Sequence, residues 1–373
     1  MTASDTPPSA PRTHLAERWG LRLPIVQGPM TGADTPALAA AVSQAGGLGM
    51  LGCGMRSPAA MAEAAAEVRR RTDRPFGMNL FAQGTPAPDD ATVRAAMDRI
   101  APLYAEFGLE QSVPARWCED FEAQFEALLQ IRPAVASFTF GILTAAQVER
   151  LHAAGCQVAG TATTVAEALA WQAVGADAVC ASGLEAGGHR GTFLADFESS
   201  QVGTLALVPQ CVDALEIPVF AAGSIMDGRG IAAALALGAQ AVQMGTAFIV
   251  CPESGIGPAY RAALAAAGDT DTRITRVFSG RPARGIVNAT MDRLAPHEAD
   301  VPAYPVQNAL MGPLRRAAAE RGRADAIALW AGQGVAAARP MPAGELVELL
   351  AREWRAATGA GAAVTATAAT AGA

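Results

Sequence analysis

Ala178-Val179-Cys180-Ala181-Ser182-Gly183-Leu184-Glu185-Ala186-Gly187-Gly188-His189-Arg190-Gly191 is the stretch whose reading decides the fold. A short apolar run of strand type passes directly into nine residues that hold four glycines, a carboxylate, an imidazole and a guanidinium. Glycine lets a backbone approach a ligand closely. The loop leaving the C-terminal end of a parallel strand is where α/β proteins place ligands and chemistry. The question is therefore whether residues 178–182 are one strand of a parallel series.

They are, on the pattern of the neighbouring sequence. Short apolar runs bounded by Gly or Pro recur at 25–30, 48–52, 76–81, 135–141, 157–162, 178–182, 218–223 and 241–249, and each reads as a strand. Between most of them lie Ala-rich segments with helical spacing, at 35–44, 59–71, 145–154, 165–174, 203–215 and 228–237. Strands alternating with helices build βαβ units, and eight units predict an α/β fold of the (β/α)8 TIM-barrel type. Residues 84–90 read as a loop, and 91–129 as one or two extra helices inserted before the fourth strand.

The barrel spans 14–251, which leaves about 120 residues, too many for one closing helix. Residues 252–356 are expected to form a smaller appended C-terminal lobe that shapes the substrate side, together with closing helices. Its pieces are a helix at 259–266, a strand-like segment at 275–279, a loop at 281–285 and helices at 309–321 and 343–356. The Pro/Ser/Thr-rich residues 1–13 and the Ala/Gly/Thr/Val tail 357–373 lack packing side chains and are expected to be disordered.

Composition excludes several functions. Net charge is −7 and all 28 basic residues are arginine, so Schiff-base and Walker-type lysine chemistry are absent. An acidic chain without a basic stripe is not a nucleic-acid binder. No apolar run approaches the roughly 18 residues of a membrane helix, and the first residues do not form a signal peptide, so no membrane role and a cytoplasmic location are expected. The six cysteines stand apart, without metal-ligand spacing, and read as buried small hydrophobes.

The chemistry-bearing residues gather at strand ends. Gly223 and Ser224 follow the seventh strand, and Gln243, Met244, Gly245 and Thr246 end the eighth. In barrels these two loops commonly cradle a phosphate on backbone amides and a helix N-terminus. Gln27-Gly28-Pro29-Met30 ends the first strand in a rigid turn that can lie along a flat ring, and Asn79 offers an amide from the third. His14, His152 and His297 fall in ordinary positions. His189, flanked by Gly187, Gly188 and Gly191, is free to project into the mouth as a general base or hydrogen-bond donor. Arg190 reads as structural support.

Taken together, Gln27-Gly-Pro-Met30, Gly46-Gly-Leu-Gly49, Phe76-Gly-Met-Asn79, Ser137-Phe-Thr-Phe-Gly141, residues 183–191, Ala222-Gly-Ser-Ile225 with Asp227-Gly-Arg-Gly230, and Gln243-Met-Gly-Thr246 resemble the FMN-dependent nitronate monooxygenases. The likeness extends to Ser279-Gly-Arg-Pro-Ala-Arg-Gly285 and Trp330-Ala-Gly-Gln333. It implies non-covalent FMN, with its phosphate on the loops after strands seven and eight. Gln27 to Met30, Asn79, Gly187 and Gly188 would line the flavin, and His189 would face the substrate. The implied reaction oxidises an alkyl nitronate with O2 to a carbonyl compound and nitrite through a flavin semiquinone, with a nitroalkane as a further substrate and a homodimer as a compatible assembly.

Two positions depart from the family pattern. Ser182 stands where a glutamine is common, and Thr161 on the fifth strand stands where some members carry a lysine near the flavin. Two competing readings remain. One is an FMN-dependent NAD(P)H enoyl-thioester reductase, although Gly46, Gly47 and Gly49 lack a dinucleotide-binding glycine order. The other is a flavin-binding barrel without turnover.

Overall fold

The computed structural model describes residues 13–370; residues 1–12 and 371–373, which hold most of the expected N-terminal arm and the end of the tail, lie outside them. Among the described residues the chain forms eleven strands: β1 (Ile25–Gln27), β2 (Gly49–Gly52), β3 (Phe76–Phe81), β4 (Val135–Thr139), β5 (Gln157–Ala162), β6 (Ala178–Ser182), β7 (Gly188–His189), β8 (Val219–Ala222), β9 (Ala241–Met244), β10 (Thr272–Thr275) and β11 (Ala283–Ile286). Eight of them pair in parallel in the order β1-β9-β8-β6-β5-β4-β3-β2. A parallel bridge between Val26 and Leu48 joins the two ends, and reciprocal backbone bonds of 2.9 Å, from Gln27 N to Leu48 O and from Leu48 N to Ile25 O, make the closure. This is the TIM barrel that the alternating pattern predicts.

Helix starts follow local chemistry. Thr35, Ser57, Thr144, Thr164 and Asp227 each cap a barrel helix by accepting a bond from a backbone N–H of its first turn. Side chains then alternate along each strand. Ile25, Leu51, Met78, Phe138, Val179, Val219 and Val242 turn outward into the main core under the helices. Val26, Met50, Val135, Ala159, Cys180, Phe220 and Ala241 turn inward and pack with Leu15, Ala16 and Trp19, which plug the bottom of the barrel. Five cysteines are buried in these layers, Cys118 is partly exposed, and all six are free.

Some elements differ from expectation. The eighth strand ends at Met244 and the chain turns at once into a helix, Thr246–Ile249. Residues 281–285 are not a loop, because β11 takes up most of them, and the strand-like segment 275–279 lies one turn late, since β10 ends at Thr275. The Arg-Gly sequence of β11 has no intrinsic strand preference. Its two neighbours supply the pairing, a case of context overriding propensity: β11 runs antiparallel to both β10 and β7.

The second lobe draws on two stretches of chain. The inserted helix Asp90–Glu106 contributes Ala96, Ile100, Leu103 and Tyr104 to a separate core with Phe278, Met291, Leu310 and Leu314. The last helix, Ala343–Thr370, returns to the barrel, where Leu346, Val347, Leu350 and Trp354 join the main core. Its first turn is held by Glu253, whose carboxylate accepts from Ala343 N at 3.0 Å. Residues 357–370, for which composition alone predicts no packed structure, continue this helix, in keeping with the high helix propensity of alanine. No helix among the described residues is long and apolar enough to cross a membrane.

Candidate active site

The inward face of the barrel changes from apolar to polar toward the C-terminal ends of the strands. By alternation, the uppermost inward positions are Asn79 on β3, Ser137 and Thr139 on β4, Thr161 on β5, Ser182 on β6 and Gln243 on β9. They form a polar ring, hydrogen-bonded from β3 to β5. Asn79 Nδ2 donates to Ser137 Oγ at 2.9 Å and to Thr139 Oγ1 at 3.2 Å, and the hydroxyls of Thr139 and Thr161 lie 3.2 Å apart. Gln243 Nε2 lies 3.5 Å from Cys180 Sγ. The two departures from the family pattern, Thr161 and Ser182, are thus neighbours in one polar ring.

Around this ring the backbone leaves space. A Cβ placed on Gly188 would meet nothing within 4 Å, and one on Gly245 only Met30 Sδ at 3.8 Å. Gly28 is more closely packed: a Cβ there would lie 3.3 Å from Gln243 Cγ and 3.6 Å from the Cα of Gly245. The Pro29–Met30 turn is clamped by the buried Asp34, whose Oδ2 accepts from Met30 N and Gly52 N, both at 2.7 Å, while Oδ1 pairs with Arg56 at 3.0 Å. Burial pushes this carboxyl up to about 6, against the opposing pull of the two N–H groups and Arg56.

Two sequence-predicted residues turn their side chains elsewhere. Met244 packs outward in the main core, so only its backbone faces the mouth. Gln27 is fully buried; its amide donates to Gly28 O and accepts from Met50 N at 3.0 Å, and so holds the first strand end in shape.

The loops expected to bind phosphate are more committed than their composition indicates. Asp227 caps the helix Gly228–Ala236 by accepting from Arg229 N and Gly230 N, each at 3.0 Å, which takes up amides of its first turn. Ser224 sits at φ +50°, unusual for a side-chain-bearing residue. Its hydroxyl donates to Glu185 O at 2.8 Å and accepts from Gly334 N at 2.9 Å. Thr246 Oγ1 accepts from Gly332 N at 3.0 Å. Both hydroxyls therefore tie the segment 332–334 across the mouth.

His189 lies in β7, so its backbone is fixed by pairing with Ala283 of the second lobe. Gly187 precedes it in a gap too narrow for any side chain, since a Cβ there would come within 2.5 Å of Gly332 N. The next residue is also fixed: Arg190 is buried and donates to the carbonyls of Ser182, Gly183 and Ser200 at 2.9, 2.7 and 3.1 Å. Glu185 serves the same loop, accepting from Thr204 N and Thr204 Oγ1 at 2.9 and 2.8 Å. Arg190 and Glu185 shape the loop rather than face a ligand.

The imidazole of His189 is walled by aromatic rings. Phe140, Trp330 and Tyr304 stand with centroids 5.3, 5.4 and 5.6 Å away. Phe140 adopts φ +79°, a strained backbone for an aromatic residue, and carries Arg281 over its face at 4.2 Å. Burial, then the positive charges of Arg281 and Arg315, push the imidazole down to about 3. The ring is neutral at pH 7. Burial also lowers Arg281 and Arg315 to about 10, so both stay charged, and neither makes an ion pair with a carboxylate among the described residues.

Sequence reasoning missed Arg281, Arg315, Tyr304, Phe140 and Ser279 as parts of this site. Ser279, Arg281 and Phe140 lie in two motifs that carried the resemblance, Ser137-Phe-Thr-Phe-Gly141 and residues 279–285. The spacing of those motifs indicates nothing about their meeting His189, which requires the lobe to fold back over β6. Tyr304 and Arg315 carry no local signal at all.

Comparison with known proteins agrees with the geometry. A family model described as nitronate monooxygenase matches residues 12–353. A nitronate monooxygenase from Pseudomonas aeruginosa is 47% identical over 342 residues, covering 90% of this chain and 97% of its own. A probable nitronate monooxygenase from Bacillus subtilis is 41% identical over 321 residues, with 86% and 92% covered. Among solved structures, a nitroalkane oxidase from Streptomyces ansochromogenes aligns with a TM-score of 0.86 at 43% identity, covering 92% of this chain and 99% of its own. FabK from Thermotoga maritima aligns with a TM-score of 0.74 at 30% identity, with 94% and 98% covered.

Proposed function

The chain belongs to the nitronate monooxygenase family, and from that premise we propose that the mouth of its barrel holds FMN and presents an alkyl nitronate beside His189. The chain is an oxidoreductase that oxidises nitronates. Residues of the mouth fit a flat, polar-edged ring. The ring of Asn79, Ser137, Thr139, Thr161, Ser182 and Gln243 offers donors and acceptors, while Gly188 and Gly245 leave room that side chains would fill and Gly28 packs against Gln243. Pro29, Met30 and Gly187 would border it, and backbone amides near Gly223, Ser224, Gly245 and Thr246 would meet the phosphate. Bound FMN supplies the electron-accepting chemistry that no side chain here can provide, with O2 as the final oxidant.

The substrate class is carried by an imidazole that burial keeps neutral beside two guanidinium groups that, among the described residues, bond main-chain carbonyls (Arg281 to Arg190 O and Thr192 O, Arg315 to Asn308 O) and no carboxylate. A nitronate is already an anion. Arg281 and Arg315 make the pocket electropositive in a low-dielectric setting, where charge attraction is strongest. His189, at about 3, adds no third charge and is a reluctant base. A neutral nitroalkane would need that base to give up its α-proton, so the preformed nitronate is the better substrate. Phe140, Tyr304 and Trp330 wall the site and keep water from the reacting carbon.

Oxygen uptake and nitrite release with propyl nitronate, set against NAD(P)H consumption with an enoyl thioester, decide between this reading and the reductase. Nitrite formation without nicotinamide is expected, together with release of FMN rather than FAD on heat denaturation. Turnover only with NAD(P)H would overturn the proposal.

A further inference from the structure

The imidazole of His189 has one fixed partner. Its Nε2 lies 2.9 Å from Ser279 Oγ, and its Nδ1 makes no hydrogen bond among the described residues. Ser279 is completely buried in the turn before β11. Its hydroxyl also lies 3.1 Å from Arg281 O and receives Arg281 N at 3.3 Å. A carbonyl oxygen can only accept, so the single serine proton is drawn toward Arg281 O. The oxygen then faces Nε2 with a lone pair, and the shared proton of that contact belongs to the imidazole.

We infer that Ser279 is a positioning residue that holds His189 as the Nε2–H tautomer, leaving Nδ1 as an unprotonated acceptor for whatever ligand the ring meets. The inference rests on the nitronate reading for its consequence and on the hydrogen-bond geometry for its substance. A nitronate carries its negative charge on two oxygens. An Nδ1 lone pair repels them, and the guanidinium of Arg281 attracts them. The anion is thereby turned to a single orientation in the pocket. The charged and titratable groups that face the ring are Arg281, Arg315 and Tyr304. None of them contacts Nε2, so Ser279 alone sets which nitrogen holds the proton. The turn supports this assignment mechanically: Gly280, at φ +85°, has its Cβ position only 2.1 Å from Pro302 O, so the turn around Ser279 cannot shift without moving the lobe.

The tautomer is directly observable. The chain has four histidines, so nitrogen NMR of the intact flavin-loaded protein, labelled with 15N-histidine and compared with His189→Gln, isolates the His189 signals. The wild type is expected to show a protonated Nε2 and a bare Nδ1 that persist across pH 6 to 9. In Ser279→Ala the two forms should mix, with kcat on propyl nitronate falling roughly 10²-fold and KM changing by less than threefold. Ser279→Thr should restore both the tautomer and most of kcat. A wild-type ring protonated at Nδ1, or a Ser279→Ala ring unchanged from wild type, would overturn the inference. The expected tautomer in a protein that makes no nitrite would instead sink the functional reading and leave the role of Ser279 standing.

Discussion

His189 resists protonation because burial and two neighbouring guanidinium groups penalise the imidazolium. The unfolded chain binds that proton near pH 6.5 and the folded chain only near 3, so the unfolded state holds more protons between these values. Stability assigned to this residue is therefore complete above pH 6.5 and is lost as pH falls toward 3. The wild type should lose melting temperature more steeply than His189→Gln between pH 7 and 4. Parallel curves would show that the ring is not held neutral. The same substitution should cut nitronate turnover while the bound flavin remains, because Asn79, Thr161 and the glycine faces are untouched. At this scale the glycines around His189 mark a loop of close backbone approach, but not the aromatic wall and the Ser279 contact that hold its ring. The sequence was unreadable where a side chain is spent on its own backbone: Gln27, Ser224 and Thr246 look like ligand groups in sequence, yet each binds a neighbouring main chain.

Two close approaches between elements hold the mouth and the outer layer together. At Gly187 the segment 331–332 of the second lobe passes so near that a Cβ would lie 2.5 Å from Gly332 N. At Gly228 the last helix passes so near that a Cβ would lie 2.2 Å from Trp354 N. Both are backbone contacts and cannot be relieved by a side-chain rotation. Gly187→Ala and Gly228→Ala should each cost about 1–3 kcal/mol of stability, measured by thermal or chemical unfolding. Only the first should also weaken flavin retention through a desalting column, since Gly228 lies on the helix layer. Equal flavin loss in both variants would contradict the separation of mouth from outer layer. The strands and most helices were legible because strands buried on both faces read as short apolar runs bounded by Gly or Pro, with Ala-rich segments of helical spacing between them. Strand β11 was not legible, since one of its two partners, β7, lies about 95 residues away in the chain.

On the scale of the whole molecule, a barrel supplies a rigid polar ring and a lobe supplies the charged, aromatic wall that faces it. The barrel was visible in the alternation of eight apolar runs with Ala-rich helices. The make-up of the lobe was not, because the helix Asp90–Glu106 joins it from the middle of the barrel sequence and the final helix leaves it for the barrel. Such exchanges leave no periodic trace. They are nevertheless what brings Arg281, Arg315 and Tyr304 to His189, and so what carries the proposed preference of the mouth for an anion. That preference is the central claim, and an anaerobic titration of the flavin-loaded protein with propyl nitronate tests it most directly. The visible flavin spectrum should change on addition of nitronate alone, and nitrite should appear when O2 is admitted. A spectrum that stays unmoved by nitronate but bleaches with NAD(P)H would contradict the account.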